Sequence, residues 1–498
     1  MTLRAVAAIA LATAWCAPAQ STLVTHHEIA ASGTPAPGGG NYTSFVAFGL
    51  QLNASGQVAF SANASGGGGQ GIFLHHGLAG VAIARPRMPA PGGGSYDNVD
   101  FPSLSAGGQV AFHANLTGTS SWDGVFIHDG AAAAAIAREG AAAAGGGTYG
   151  GFDTLPQVNS LGQVAFWSAI NGSSSETGLF VSDGVTAAVV VRDNTPAPPG
   201  GTYEDLVQYA LDSSGQMAFG AMLNSGAEGY FLHDGMTSST IALEGGPSPA
   251  GGVYTALTPL RFSSAGKSSY HPGLTGGASA TEGIFLHDGT TSSAVALQGE
   301  PAPAGGTYAT FPTHSHLNAN GTVVYAATVA GGPSSFGIFV NDGTTAEAVA
   351  LLGTPAPGTT GLYSSFSNLT FQINDAGLVV FRGALALGGD VTAANDTGFW
   401  FGTNAGNLSL LVREGDSLLV YGMLRTLGSI PLGFTLSESG IAWLASFTDG
   451  TSAVIYSQFP LATIPETSAW AMLALPACAA TALAVKRRIR RAAVPVQR

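Results

Sequence analysis

A unit of about 54 residues is repeated eight times along this chain, and this repetition constrains the fold more than any other feature of the sequence. A Gly-Gln-Val-Ala-Phe segment marks the unit at Gly56–Phe60, Gly108–Phe112 and Gly162–Phe166, and weaker versions follow. A tyrosine recurs upstream of it at intervals of 51–58 residues: Tyr42, Tyr96, Tyr149, Tyr203, Tyr254, Tyr308, Tyr363 and Tyr421. Eight such units predict eight copies of one supersecondary structure, stacked to bury their apolar faces.

Each unit is predicted to contain four short antiparallel strands. A residue that can cap its own turn stands three positions before the glycine of the marked segment or its equivalent: Asn53, Ser105, Asn159, Asp212, Ser263, Asn318, Asn374 or Ser437. The Val and aromatic residues after this turn predict a strand. A third strand, such as the one around Phe73, leads into a turn of the type Asp183-Gly184, and a fourth strand follows.

Four-stranded units in this number are typical of a β-propeller, so the fold class is all-β and residues 20–460 are predicted to form eight blades. His27–Gly33 match the fourth strand of a unit, and the eighth unit lacks a fourth strand of its own. We therefore expect the N-terminal strand to complete the last blade and close the ring, which removes exposed sheet edges. The alternative is seven blades with an irregular C-terminal unit, because the eighth repeat is the weakest.

Acidic residues dominate the repeats. The 498 residues include 16 Lys and Arg against 29 Asp and Glu, which gives a formal charge of −13. Much of the basic charge lies near the C-terminus, in Lys486–Arg491, so the repeats are more acidic than the total suggests. An acidic surface repels phosphate backbones, and we therefore expect no nucleic-acid partner.

Both ends of the chain carry predicted targeting segments. Residues 1–19 are typical of a secretory signal peptide, with Arg4 before an apolar stretch and a small-residue cleavage site. Residues 468–485 are an apolar run just long enough for a transmembrane helix, and the basic tail 486–498 should stay in the cytoplasm. Both cysteines lie within these end segments, so the predicted ectodomain has no disulfide framework and no thiolate metal site.

A short motif precedes the predicted transmembrane helix. Pro465 and Glu466 lie in the linker 461–467, and the apolar run and arginine-rich tail follow. In order and spacing this end resembles the PEP-CTERM sorting signal of bacterial exosortase substrates, with Thr467 where that family has a second proline. The resemblance implies an exosortase-type processing enzyme as a partner. It also implies a protein held at the cell envelope or outer surface by a single-pass anchor, or released after processing; the alternative is an ordinary tail anchor.

The repeats resemble the bacterial tandem-repeat family named for an NxxGxxVAF motif. Asn53–Phe60 and Asn159–Phe166 carry this resemblance, with one residue fewer between Gly and Val than the name implies. The unit at Ser263–Tyr270 departs from the motif most. Members of that family are often paired with surface-anchoring tails, and the resemblance implies no particular activity.

The sequence contains no recognisable catalytic motif. Four histidines share one repeat position, but adjacent blades would hold them too far apart to share a metal ion: His75, His128, His233 and His287. Scattered acidic residues allow an acid/base pair for glycoside cleavage, yet no spacing singles out two of them: Asp97, Asp100, Asp123, Glu176, Glu204, Asp205, Asp390 and Asp396. We therefore expect no metal, no cofactor and no enzyme activity.

Trp122 and Trp167 are the candidate binding residues. They stand beside the connections between second and third strands, which vary most between units and share a face with the loops that join blades. Indole rings in this position suit sugar stacking, and core packing is the alternative for Trp167. The sequence thus favours a non-catalytic binding or structural role towards exopolysaccharide or other envelope components. The alternatives are an extracellular glycan-active enzyme with carboxylates on one face of the propeller, and a structural spacer without a ligand.

Overall fold

The Val and aromatic residues of each repeat form strands, as the sequence predicts. The computed structural model describes residues 24–459 except 67–68, 258–259, 278–279 and 313–314. These residues form strands, turns and loops, and no helix among them is long and apolar enough to cross a membrane. The predicted signal peptide, the linker with Pro465 and Glu466, the transmembrane helix and the basic tail lie outside the described residues.

The first four blades follow an N-terminal strand, β1 (Thr25–Ala31). Blade 1 consists of β2 (Tyr42–Leu52), β3 (Gln57–Ala64), β4 (Gln70–His76) and β5 (Ala79–Ala84). Blade 2 consists of β6 (Ser95–Val99), β7 (Ser103–Leu104), β8 (Val110–Thr117), β9 (Asp123–His128) and β10 (Ala133–Arg138). Blade 3 consists of β11 (Thr148–Phe152), β12 (Gln157–Val158), β13 (Val164–Asn171), β14 (Thr177–Ser182) and β15 (Ala187–Arg192). Blade 4 consists of β16 (Tyr203–Leu211), β17 (Met217–Leu223), β18 (Glu228–His233) and β19 (Ser238–Leu243).

The last four blades repeat this pattern with more interruptions. Blade 5 consists of β20 (Val253–Ala256), β21 (Arg261–Phe262), β22 (Ser268–Tyr270), β23 (Gly273–Thr275), β24 (Gly283–His287) and β25 (Ser292–Leu297). Blade 6 consists of β26 (Thr307–Thr310), β27 (His316–Leu317), β28 (Val323–Ala330), β29 (Phe336–Asn341) and β30 (Ala346–Leu351). Blade 7 consists of β31 (Tyr363–Ile373), β32 (Val379–Leu385), β33 (Thr397–Gly402) and β34 (Ser409–Arg413). Blade 8 consists of β35 (Ser417–Val420), β36 (Met423–Ser429), β37 (Phe434–Leu436), β38 (Gly440–Phe447) and β39 (Ser452–Gln458).

The N-terminal strand closes the ring. Strand β1 is antiparallel to β39, from the pair Thr25 and Gln458 to the pair Ala31 and Ala453, and becomes the outer strand of blade 8. The innermost strands contact one another in a circle, from β2 through β7, β12, β16, β21, β27, β31 and β37 back to β2. The predicted eight-bladed propeller closed by its N-terminal strand is therefore confirmed, and the seven-bladed alternative is wrong.

Each sheet is covered on both faces by its neighbours, which explains why Val-Ala-Phe is a continuous apolar run. In blade 1, Phe60 lies in the core shared with blade 8, beside Ala442. The next residue back, Ala59, points the other way into the core shared with blade 2, beside Phe112. Alternate side chains thus enter two different cores, and neither face of the strand is left for water.

The tyrosines of blades 1 to 7 are buried at equivalent places, but the eighth repeat tyrosine is not. In blade 1 the backbone N–H of Gly33 donates to the carbonyl oxygen of Tyr42 at 2.8 Å. In blade 8 the same bond joins Gly415 to Leu427 at 2.8 Å, whereas Tyr421 lies in the β35–β36 hairpin and is 40% exposed. The equivalence expected for Tyr421 is wrong, because this extra hairpin shifts the register and Leu427 fills the core position.

Candidate binding site

The pairing of the innermost strand with its own sheet is interrupted or shifted partway along blades 3 and 4. In blade 3 the pairing with β13 stops at Phe152 and resumes at Gln157, so Asp153–Pro156 lie outside the ladder. In blade 4 a register shift follows Leu206 and leaves Val207 unpaired. At these irregular positions the side chains of two neighbouring blades face each other and do not pack within their own sheets.

A cavity of about 320 Å³ lies between the innermost strands of blades 3 and 4. Its lining consists of Asp153, Leu155, Gln157, Trp167, Leu206, Val207, Gln208 and Tyr209. Two aromatic rings, two amides and one carboxyl group therefore face a mostly apolar space. This composition is typical of a small-ligand site, and the volume lies at the lower end of the range for such sites.

Hydrogen bonds between the blades hold the lining in place. The Tyr209 hydroxyl donates to Oδ2 of Asp153 at 2.8 Å, across the boundary between blades 4 and 3. The side-chain amide of Gln157 donates to the carbonyl oxygen of Tyr209 at 2.9 Å and accepts from the N–H of Leu211 at 3.0 Å. Trp167 is half-buried and packs on the apolar core that the two blades share. The cavity walls are therefore tied to the sheets and not carried on free loops.

The carboxyl group of Asp153 is the charged group of this lining. Burial raises the pKa of Asp153, and the hydrogen bonds from Tyr209 and from the N–H of Trp167 act in the opposite direction. Burial and the neighbouring carboxylate together raise the pKa of Tyr209 well above its usual range, so the phenol stays protonated as a donor.

A second polar cluster lies in the neighbouring blade. The imidazole of His113 hydrogen-bonds through Nδ1 to Asp100 and through Nε2 to Asp123. The other oxygen of Asp123 accepts the N–H of Phe152 at 3.0 Å, which ties blade 2 to blade 3. Burial acts to lower the pKa of His113, but the two carboxylates overcome it and raise the pKa to about 9. The imidazole is therefore a buried cation that holds the two carboxylates on opposite sides of its ring.

A related link between blades lies in blade 5, although there burial lowers the pKa of the histidine. Nε2 of His271 lies 3.0 Å from Oε2 of Glu282, and Oε1 of Glu282 accepts the N–H of Phe311 in blade 6 at 3.2 Å. Neither cluster was predicted from the sequence, although a signal was present. In blades 2 and 5, unlike the other blades, a histidine directly follows the Phe or Tyr of the second strand, and an acidic residue directly precedes the glycine of the third strand.

The two tryptophans predicted to bind a ligand lie in different environments. Trp167 lines the cavity between blades 3 and 4 and also packs on the core, and its role in sugar binding stays a prediction. Trp122 lies in the loop between β8 and β9, is 73% exposed, and does not line that cavity. Its backbone N–H donates to Glu139 at 2.8 Å.

The repeated histidines are each bonded within their own blade. Nε2 of His75 is hydrogen-bonded to the hydroxyl of Tyr42 at 2.9 Å, and Nδ1 of His233 is hydrogen-bonded to the hydroxyl of Ser238 at 3.1 Å. The part of the chain that the structure describes contains no group of three or more His, Cys, Asp or Glu side chains suited to a metal ion. Of the acidic residues singled out in the sequence, Asp100 and Asp123 meet at one histidine, and Asp390 pairs with Arg413 at 3.3 Å.

Several solved propeller structures are similar to this chain. A puromycin-hydrolysing peptidase of Mycobacterium tuberculosis is 12% identical with a TM-score of 0.39, over 81% of this chain and 59% of that one. PorZ, a surface component of the type-IX secretion system of Porphyromonas gingivalis, is 15% identical with a TM-score of 0.36, over 84% and 54%. The WD40 domain of SCAP from fission yeast is 9% identical with a TM-score of 0.41, over 88% and 94%. At these values none of them carries an argument about activity.

No curated protein matches this chain in sequence. A protein-family model does match, in two overlapping stretches, residues 19–254 and 81–471, which together span the propeller. Overlapping matches are expected when one unit is repeated along a chain. The chain belongs to DUF7453, a family of unknown function.

Proposed function

We propose that this protein is an exported β-propeller that binds a polysaccharide of the cell envelope or extracellular matrix without cleaving it. The observation that carries the proposal is the cavity between blades 3 and 4, where Trp167 and Tyr209 accompany two side-chain amides and one carboxyl group. Aromatic rings supply flat apolar surface for a sugar ring, and amides and carboxylates bond its hydroxyl groups.

The proposal includes export and attachment to the envelope, which rest on the ends of the sequence. Residues 1–19 suit a signal peptide, residues 468–485 suit a transmembrane helix, and Pro465 and Glu466 resemble a PEP-CTERM signal read by an exosortase-type enzyme. The likeness of the repeats to the NxxGxxVAF family agrees with a surface location. Recovery of the full-length protein from the cytosol with residues 1–19 intact would contradict this part of the proposal.

Co-sedimentation of the purified full-length protein with polysaccharide from the producing organism tests the binding role, with polymer length followed in the same samples. We expect the protein to sediment with the polymer and the polymer to keep its length. Trp167→Ala should weaken binding about tenfold, since loss of one stacking ring costs roughly 1 to 2 kcal/mol. Trp122→Ala is the matched control, because Trp122 does not line the cavity, and it should bind as the parent does.

A glycan-active enzyme is the alternative. Hydrolysis of a glycosidic bond commonly needs two carboxyl groups on either side of the scissile bond. Asp153 supplies one in the cavity, whereas Asp100 and Asp123 are already bonded to His113. This favours binding over cleavage. Shortened polymer in the co-sedimentation experiment would reverse that preference and make Asp153 the first residue to replace.

A further inference from the structure

The cavity between blades 3 and 4 is electrostatically one-sided. Asp153 is the one acidic residue among the lining residues, and no lysine, arginine or histidine belongs to the lining. Within the described ranges no cation lies at ion-pair distance from Asp153. The positive charge of His113 lowers the pKa of Asp153 from farther away. The imidazole of His113 is itself hydrogen-bonded to two other carboxylates. A carboxyl group in this position is stabilised by a cation that arrives with the ligand.

The aromatic residues of the lining suit the same kind of ligand. Trp167 and Tyr209 border the cavity together with Asp153, and the faces of such rings attract cations, the indole most strongly. An anionic sugar, such as a uronate or a sulfated residue, would instead bring its charge next to Asp153 with no basic side chain to offset it. The charge of the lining therefore favours a cationic glycan over an anionic one.

We propose that the cavity binds the ammonium group of an amino sugar, so that the ligand is a glycan whose hexosamines carry free amines in place of N-acetyl groups. This inference rests on the proposed function and narrows it to one class of polysaccharide. The ammonium lies between the Asp153 carboxylate and the indole of Trp167, and the sugar ring occupies the apolar remainder beside Leu155 and Val207. A cavity of about 320 Å³ takes the end or one residue of a chain, and not a long stretch of polymer.

A matched pair of probes tests the proposal on the full-length protein: a glucosamine tetramer and an N-acetylglucosamine tetramer, titrated by calorimetry at one ionic strength. We expect the amine form to bind at least about tenfold more tightly, in line with a charge pair plus a cation–π contact. Asp153→Asn keeps the shape of the side chain and should reduce this preference to about twofold or less. Asp205→Asn is the control, since it removes the same charge from an exposed place on β16 and should leave the preference unchanged.

Thermal unfolding shows whether Asp153→Asn is folded, and the wild type provides a second measurement that needs no variant. Its preference for the amine tetramer should shrink at high salt, because screening weakens the charge pair and not the apolar contacts.

Equal binding of both tetramers by the wild type overturns the inference and leaves glycan binding intact. Equal binding of tetralysine also overturns it, since the site would then read an ammonium group without the sugar. If neither tetramer nor the native polysaccharide binds, the proposed function fails as well.

Discussion

Two buried histidines at different positions of the repeat show how strongly the pKa of an imidazole depends on its neighbours. His113 lies between Asp100 and Asp123, and these carboxylates raise its pKa to about 9 against the opposing effect of burial. His75 is equally buried but faces the hydroxyl of Tyr42, and burial lowers its pKa to about 4. At neutral pH the first is therefore a cation and the second is neutral.

These two histidines should shape the pH dependence of stability in opposite ways. The folded state holds a proton on His113 that an unfolded histidine releases near pH 6.5, so the stabilisation is complete below that pH and is lost towards about pH 9. For His75 the unfolded state takes up a proton first, so stability is lost as the pH falls from about 6.5 towards 4. Each effect is at most on the order of 3 to 4 kcal/mol.

Urea unfolding at pH 5, 6.5 and 9 measures both effects, with the pH values chosen around these shifts. His113→Gln should flatten the loss between pH 6.5 and 9, and it should also lower stability overall because two buried carboxylates lose their cation. His75→Gln should flatten the loss on the acid side only. An unchanged slope in either variant would contradict the assignment for that residue.

At the level of the elements, the turn between the first two strands of a blade both caps itself and holds the next blade. Oδ1 of Asn53 accepts from the N–H groups of Ser55 and Gln57 at 3.2 and 3.0 Å, while Nδ2 donates to the carbonyl oxygen of Ser105 in blade 2 at 3.1 Å. Gly108 lies against the Gln57 side chain at positive φ, and a Cβ there would come within 2.6 Å of its amide oxygen. The repeated motif is thus a joint between blades.

Other units keep this contact between blades, some with the same atoms and some with different ones. Nδ2 of Asn159 donates to the carbonyl oxygen of Asp212 at 3.0 Å. Asp212 caps its own turn but has no side-chain N–H, and the backbone N–H of Ser213 donates to Ser264 at 3.0 Å instead. At the closing point, the hydroxyl of Ser439 donates to the carbonyl oxygen of Asn53 at 3.3 Å. The ring of turns is therefore continuous across the last boundary.

Asn159→Asp separates the two tasks of this turn. The carboxylate can still accept from the N–H groups of Leu161 and Gln163, but it cannot donate to Asp212. We expect a loss of about 1 to 3 kcal/mol in the free energy of unfolding, from a missing hydrogen bond and a carboxylate set against a carbonyl oxygen. Chemical denaturation measures it. Ser160→Ala, at an exposed neighbouring position, is the control, and equal stability of the two variants would argue against a joint between blades.

The whole molecule depends on a strand that is far from its partner in sequence. Strand β1 pairs with β39 and completes blade 8, so two ends of the described chain meet in one sheet. Without β1, the edge of β39 would offer unpaired N–H and C=O groups to other molecules, and the core beside Ile29 and Ala30 would open. Ring closure is therefore both an energetic and a solubility requirement.

A circular permutant tests closure directly. Thr25 and Gln458 are opposite each other in the β1–β39 pair, so a short Asn-Gly turn can join them if the chain is opened between Gly39 and Gly40. In residues 24–459 this permutant should keep the fold and unfold within a few degrees of the parent. Deletion of residues 24–36 should lower stability by several kcal/mol and promote association through β39. A deletion variant with the same stability and the same association state as the parent would contradict the role of β1.

The repeating part of this protein can be predicted from its amino-acid pattern. Blade number, strand order, the turns at Asn53 and Asp183-Gly184 and the closing role of the N-terminal strand all follow from patterns that recur every 51–58 residues. These features depend on local turn chemistry and on apolar periodicity, which act within a single unit. Trp167 could also be named from local sequence, because it is an aromatic residue next to a connection that varies between units.

The features that lie between repeats depend on how the blades pack against one another. The bond from Tyr209 to Asp153 joins residues 56 positions apart in two blades, and the cavity lies where the pairing of the innermost strand is interrupted in blade 3 and bulged in blade 4. Leu427 took the place expected for Tyr421 through an inserted hairpin that no local pattern announces. Such features arise where units differ and face one another, so they depend on contacts between blades and not on the unit that the sequence repeats.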